Sequence, residues 1–447
     1  MTAAGVRGQV CCLDFGSTFT KAALVDLDAG ALVATASVPT TGDTDVMAGH
    51  DACRDRLGVG PEVPSLACSS AGGGLRLAVV GYEREITAEA GHRVGLSAGA
   101  RVSHVTSGPL DPIGVTDLEE ARPDVVLLVG GTDGGNAEVL LHNARRLASS
   151  GLRVPYVVAG NADATDEVAA VLERRHKRVV RSRNVLPEIG RLDPAPARAA
   201  IRDVFIHHVI GGKGLSRRPE FAAMVRAATP DAVLAGVELL ADATAQVEGA
   251  GDVLVVDVGG ATTDVYSVVT PVGEDAVLRR EVVEVMWRSR TVEGDLGMRW
   301  NASGIVDAAD AERLLGTDER TTLMPAAQVR VGDPAYVAST DGEKDVDTRL
   351  AELAITVAVR RHGRGGKDLR DVRLVVGSGG VLRHADAGRR DRMLRPVTAD
   401  LAGGWPVPER ARCVVDESYV LAAAGLLAGD HPDAAARLLR RHLLEAD

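Results

Sequence analysis

The sequence predicts an α/β protein of two related lobes, with a parallel βαβ domain inserted into the first. Three observations lead there. A strand, glycine loop, strand pattern at residues 10–26 returns at 253–268; apolar runs and helical stretches alternate through much of the chain between; and 447 residues exceed one comfortable core. Aromatic residues make up only 3% of the chain, so its cores must be built from Val, Leu, Ile and Ala, as suits buried parallel strands under alanine-rich helices.

Taken in order, residues 10–13, 22–26 and 32–38 read as strands, with Asp28-Ala29-Gly30 as the turn between the last two. That is a meander, unlike the strand, loop, helix of a dinucleotide or Walker site. From about residue 66 the pattern becomes strand 75–80, helix from 87, strands 102–106 and 125–129, helix from 136 and strand 154–159, a series that predicts a parallel sheet. Proline-bearing connections through 191–194 follow, then a long amphipathic stretch from about 217 to the break at Gly249-Ala250-Gly251. Beyond it come strand, glycine loop, strand, a Gly/Asp turn at 273–275, an alanine-rich helix around 352–360, a buried strand at 372–376 and a helical tail from 418. The expected domains are 1–65 (first part of the first lobe), 66–212 (insert and connections), 213–249 (the helix completing the first lobe) and 250–447 (second lobe).

A net charge of −11 provides no long-range basic field, so no nucleic-acid partner is expected, and the basic cluster at 174–178 reads as a solvated helix end. The cysteines Cys11, Cys12, Cys53, Cys68 and Cys413 show neither metal-ligand spacing nor a disulfide-rich pattern, and are expected to be reduced. The first residues lack a signal-peptide-like apolar run, and no stretch approaches the roughly 20 apolar residues of a membrane span. A cytoplasmic protein without a membrane partner is the expectation.

The chemistry sits in three glycine loops. In DFGSTFTK, Asp14 ends a buried strand and Gly16 lets the backbone turn, so that amides and the hydroxyls of Ser17, Thr18 and Thr20 can converge on an anion, with Lys21 adding a point charge. In DVGGATTDVYSV, Asp257 again ends an apolar strand, Gly259 and Gly260 permit close approach, and Thr262 and Thr263 offer hydroxyls. Two such loops facing each other would surround a triphosphate. The carboxylates at their roots repel phosphate but suit a hydrated Mg²⁺, which takes one or two carboxylates and keeps its waters. The third element, GSGGVLRH, offers Gly377, Ser378, Gly379 and Gly380 as bare backbone against which a purine or ribose can lie.

In this order the three motifs resemble the first phosphate, second phosphate and adenosine motifs of the superfamily of actin, the heat-shock chaperone ATPases and the sugar and acetate kinases. The resemblance implies duplicated actin-like (ribonuclease H-like) ATPase lobes binding ATP and Mg²⁺. Asp14 and Asp257 become the catalytic pair that holds the metal through water, and the loop residues from Gly16 to Lys21 and from Gly259 to Thr263 surround the phosphates. PDAVLAGVELLADA resembles the first connecting helix, with one departure: where heat-shock members carry a catalytic glutamate this chain has Thr229, so the hydrolytic base is unfilled and turnover is expected to be slow. Glu238 is the fallback.

A closer resemblance covers nearly the whole chain. SSAGGGLRLAVVG, ITAEA, LLVGGTDGGN, VVAGNAD, RNVLPEIG, DVGGATTDVYSV and TVEGDLGMR resemble the accessory protein of glutamate mutase (methylaspartate mutase), an adenosylcobalamin enzyme. This implies a reactivating chaperone that uses ATP to remove damaged cobalamin from its mutase, with the mutase subunits as partners and a homo-oligomer left open.

Other segments divide between readings. GGTDGGN at 130–136 could seat a phosphate at a helix N-terminus, but it departs from GxGxxG and the Walker pattern, which favours a tight turn or a docking surface. Glu293 and Asp295 in TVEGDLGMRW either border the nucleotide cleft or cap a helix, while His207 and His208 lack further ligands and read as structural. Three functions stay open at this level: the reactivating ATPase, which is favoured; a small-molecule kinase, for which no acceptor motif stands out; and a nucleotide-controlled actin-like scaffold.

Overall fold

The computed structural model describes residues 8–445, apart from 43, 72–73, 84–86, 211–213, 243, 271–287, 365–366 and 403. The Gly/Asp turn expected at 273–275 lies outside the described residues. The strands are β1 (Gln9–Phe15), β2 (Phe19–Asp26), β3 (Ala31–Pro39), β4 (Ser65–Ser69), β5 (Arg76–Gly81), β6 (Arg101–Ser107), β7 (Val125–Leu128), β8 (Tyr156–Val158), β9 (Val179–Arg181), β10 (Val225–Ala228), β11 (Val253–Val258), β12 (Thr263–Val268), β13 (Arg288–Glu293), β14 (Leu374–Ser378) and β15 (Arg412–Val415).

They form three five-stranded sheets, ordered β10-β4-β1-β2-β3, β13-β12-β11-β14-β15 and β6-β5-β7-β8-β9. The first two are the same sheet written twice. In each, a leading strand starts an antiparallel meander (β1-β2-β3; β11-β12-β13) and pairs on its other edge in parallel with the fourth strand, which pairs with the fifth. This repetition makes the fold the duplicated actin-like architecture. The third sheet is wholly parallel, and the chain enters it between β4 and β10. Since β4 pairs with β1, the crossing into that sheet falls between Ser69 and Arg76, and the return falls between Arg181 and Val225.

Side-chain alternation decides what each face meets. On β1, Cys11, Leu13 and Phe15 enter a core shared with one face of the third sheet, including Leu77, Val79 and Leu127. Val10 and Cys12 point the other way, into a core between the lobes that also takes Val253 and Val255 of β11. Asp14 has the parity of Val10 and Cys12, and Asp257 that of Val253 and Val255. The period of two therefore turns both carboxylates toward the opposite lobe.

The inter-lobe core is filled by two helices, Thr229–Ala241 and Val420–Leu427. With few aromatic residues to fill space, these helices approach until backbone meets backbone. A Cβ at Gly425 would lie 1.7 Å from the Ala232 carbonyl oxygen, and one at Gly236 would lie 2.2 Å from that of Leu421. Asp416 fixes the second helix by accepting the Val420 and Leu421 amides at 2.9 and 3.1 Å. Among the described residues no helix is long and apolar enough to cross a membrane.

Gly425→Ala should force the helices apart and lower stability by about 3 kcal/mol in urea unfolding. Gly342→Ala, at an open helical position, should be neutral or slightly stabilising. Equal effects from the two would refute the close approach.

Candidate functional site

The two glycine loops match residue for residue. Asp14 faces Lys21 and Phe15 faces Thr20 across the first hairpin; Asp257 faces Asp264 and Val258 faces Thr263 across the second. Gly16 donates its amide to the Phe19 carbonyl at 3.1 Å, and Gly259 donates to the Thr262 carbonyl at 2.9 Å. The copies differ in charge, since Lys21 of the first is replaced by Asp264 in the second. Lys21 lies 3.4 Å from Asp14 Oδ2. Burial acts to lower its pKa, but the Asp14 carboxylate first, with Asp257 further off, outweighs it and pushes the pKa up. Asp257 is pushed up to about 6, first by burial and further by Asp264 and Asp14, against the opposing pull of Lys21 and a hydrogen bond with Ser378. Lys21 answers Asp14 directly, and Arg290 answers Asp264.

The loops meet at their tips. A Cβ at Gly260 would lie 3.4 Å from Thr18 Oγ1, so a triphosphate could enter between them only if the lobes part there. Behind the second loop, Met298 donates its amide to Gly259 O at 3.0 Å, and Arg299 and Trp300 donate theirs to Gly260 O at 2.8 and 3.0 Å. In a planar trans peptide the next N–H points opposite to the carbonyl, so the Gly260 and Ala261 amides are aimed away from this backing segment.

Not every hydroxyl in the loops faces the cleft. Ser17 and Thr18 retain exposure, and Thr262 is partly exposed while donating to Asp264 Oδ2 at 3.0 Å. Thr20 and Thr263 are fully buried: Thr20 shares a 3.0 Å hydrogen bond with Thr40, and Thr263 donates to Leu296 O at 2.6 Å. Their hydroxyls pin the hairpins.

The third glycine segment closes onto the second. Ser378 pairs in register with Asp257, and Gly379, at φ +108°, sits where a Cβ would be 2.2 Å from the Val258 carbonyl oxygen. Gly377 is enclosed by Leu382 and Leu394, whereas Gly380 opens a short helix with free space around it. Sequence reasoning missed Tyr419. Lys21 Nζ lies 4.1 Å from its ring centroid and the Arg383 guanidinium 4.7 Å, so its ring ties the first loop to the third segment. Tyr419 holds φ +54°, a conformation costly for a side-chain-bearing residue.

Thr229 begins the helix after β10 and donates its hydroxyl to Asp14 Oδ1 at 2.6 Å. It orients that carboxylate but is no base. Glu238 lies nine residues further on, about 13 Å along the helix axis, and is paired with Arg198 at 2.9 Å. It cannot serve as the fallback base from there.

The remaining candidates are held by partners of their own. In segment 130–136, Asn161 donates to Gly135 O, and Asn184 donates to Gly131 O and to Asp133, making a braced turn. Glu293 and Asp295 are clamped by Arg361 at 2.7 and 2.8 Å. They line a cavity of about 510 Å³ with His92 and Arg101 from the third sheet's side. His207 pairs with Asp203, and His208 pairs with Arg178. All five cysteines are free thiols, with only Cys413 exposed.

The model of the MutL protein family matches residues 10–443. The chain belongs to the MutL family. Protein MutL of Clostridium tetanomorphum is 36% identical over 457 residues, covering 97% of this chain and 98% of that protein. Similar solved structures include a nucleotide-free acetone carboxylase (15% identity, 94% of this chain and 70% of that one, TM-score 0.37). Others are the xylulose kinase of Bifidobacterium adolescentis (11% identity, 98% and 94%, TM-score 0.34) and the ADPNP-bound activator of the 2-hydroxyisocaproyl-CoA dehydratase of Clostridium difficile (9% identity, 98% and 98%, TM-score 0.32). Family membership rests on the sequence match, and the duplicated fold on the strand order.

The raised pKa of Asp257 has a sign that can be checked. Folding favours its protonated form, so its contribution is complete below the ordinary carboxylate value of 3.8 and is lost as pH rises through about 6. In EDTA, Asp257→Asn should remove a decline in thermal stability between pH 4 and pH 7 and raise the midpoint at neutral pH by a few degrees. A lower midpoint at neutral pH would contradict the electrostatic picture.

Proposed function

We propose that this chain is an ATP-dependent reactivating chaperone for an adenosylcobalamin-dependent mutase of the glutamate mutase type, exchanging damaged for intact cobalamin on its partner. The convergence of the two hairpin loops across Thr18 and Gly260, with Asp14 and Asp257 at their roots, carries the nucleotide half of this reading. The partner half rests on the strings shared with the glutamate mutase accessory protein and agrees with membership of the MutL family.

The residues fit Mg²⁺ and a triphosphate. Two carboxylates turned into one cleft suit a cation that keeps its waters, and among the described residues no group of three or more His, Cys, Asp or Glu forms a ready cation cage. Asp14 and Asp257 would hold Mg²⁺ through water, and the metal would neutralise charge on the phosphates. Lys21, Ser17, Thr18, Thr262 and the amides of Gly260 and Ala261 would bind and orient the phosphates from both lobes. Ser378, Gly379 and Gly380 would take the adenosine side. Thr229 holds Asp14 in place without supplying a base, which favours slow hydrolysis and a nucleotide that works through lobe movement.

Asp14→Ala or Asp257→Ala should lower Mg-ATP hydrolysis by about 100-fold or more, and full activity in either would remove the cleft assignment. The partner is tested by incubating the protein with inactivated cobalamin mutase, ATP and fresh adenosylcobalamin. Recovery of mutase activity that requires ATP is expected. ATP consumption linked instead to phosphorylation of a small acceptor would establish the kinase reading.

A further inference from the structure

The second phosphate loop is wired to the inserted sheet through one buried arginine. Arg290, at the middle of β13, is 5% exposed. Its Nη2 and Nε donate to Asp264 Oδ1 at 2.6 and 3.1 Å, and its Nη1 donates to the carbonyls of Ala100 and Leu96 at 3.3 and 3.5 Å. Those carbonyls belong to the turn that ends helix Glu89–Ser97 and leads into β6 of the inserted sheet. The other oxygen of Asp264 takes the Thr262 hydroxyl of the second loop.

The same turn also meets the first lobe. Gly99, at φ +76°, lies where a Cβ would be 2.8 Å from the amide nitrogen of Asp231, two residues after the Thr229 that holds Asp14. Asp231 is buried and gripped by Arg202 at 2.5 and 3.0 Å. Turn 96–100 is therefore wedged between groups attached to both phosphate loops. Beside the wedge lies the cavity of about 510 Å³, lined by Leu96 and Arg101 on one side and Thr291 and Gly294 on the other, with the Arg101 guanidinium reaching across to Gly294. A close-packed interface would resist sliding, whereas this one has room for it.

We propose that Arg290 is a positioning residue that transmits occupancy of the cleft to the inserted sheet, carrying turn 96–100 with it when Asp264 moves. This rests on the reading of the cleft as a nucleotide site. A phosphate at the second loop competes for the Thr262 hydroxyl, leaving Asp264 held by Arg290. The guanidinium is bound more tightly to the carboxylate than to the two carbonyls, because charge-assisted contacts near 2.6 Å outweigh neutral ones near 3.5 Å. It therefore follows Asp264, and the turn is pulled or released. Nucleotide acquires a differential contact with two positions of the insert, which is what coupling requires.

The test is hydrogen exchange over residues 94–107 in the full chain, with and without Mg²⁺ and a β,γ-imido ATP analogue, with binding measured calorimetrically on the same samples. In the unaltered protein, nucleotide should change exchange in this segment by about fivefold or more. Arg290→Lys keeps a charge beside Asp264 but cannot reach both carbonyls; it should still bind nucleotide, with an affinity within about fivefold of the unaltered protein, and lose the response. Thr262→Val, read at saturating nucleotide, should also lose it, and decides the matter if Arg290→Lys does not fold. A full response in either variant overturns the proposal. Nucleotide binding without any change at 94–107 in the unaltered protein overturns the coupling while sparing the cleft, and failure to bind nucleotide at all removes both.

Discussion

The site depends on the Lys21 ammonium standing against the Asp14 and Asp257 carboxylates. Side-chain alternation turns both acids into the space between the lobes, where desolvation makes two carboxylates costly. Lys21 offsets part of that cost, since it pairs with Asp14 and pulls Asp257 down against burial. Asp257 nonetheless stays near 6, and the second hairpin carries Asp264 where the first carries Lys21. The Tyr419 ring holds the Lys21 ammonium on one side and the Arg383 guanidinium on the other.

Duplication accounts for most of this arrangement, and departures from it account for the rest. Two copies of one sheet, related by the tightly packed Gly236 and Gly425 helices, bring equivalent loops face to face. The first copy alone admits a parallel sheet between its fourth and fifth strands. That interruption places turn 96–100 against Asp231 on one side and Arg290 on the other, so the insert touches the supports of both loops.

Much of this was legible in the sequence because its signals were local. Both hairpins, the parallel run through β5, β7 and β8, and all three glycine segments stand out by apolar alternation and turn chemistry. Five strands, β4, β9, β10, β13 and β15, did not. β10 is four residues between helical stretches, β13 reads RSRTVE with two arginines, and β15 is a short, partly exposed run. Each takes its conformation from a neighbouring strand, a tertiary effect that propensity does not record. The hydroxyls divided in the same way: Thr20 and Thr263 look identical to Thr18 and Thr262 in sequence, but the parity of the strands they lie in sends them into the core. Tyr419 and Arg290 had no local mark, since their roles come from residues more than twenty positions away or from the other lobe. The backing role of 298–300 was likewise hidden in a segment that read as either cleft border or helix cap.

We propose that the two hairpin loops bracket a triphosphate. A crystal structure of the protein grown with Mg²⁺ and a β,γ-imido ATP analogue tests it most directly. Phosphate density between residues 16–18 and 259–262, with the metal's waters on Asp14 and Asp257, is the result expected. Nucleotide bound instead at the 130–136 turn, or density absent from the cleft at saturating analogue, would contradict it.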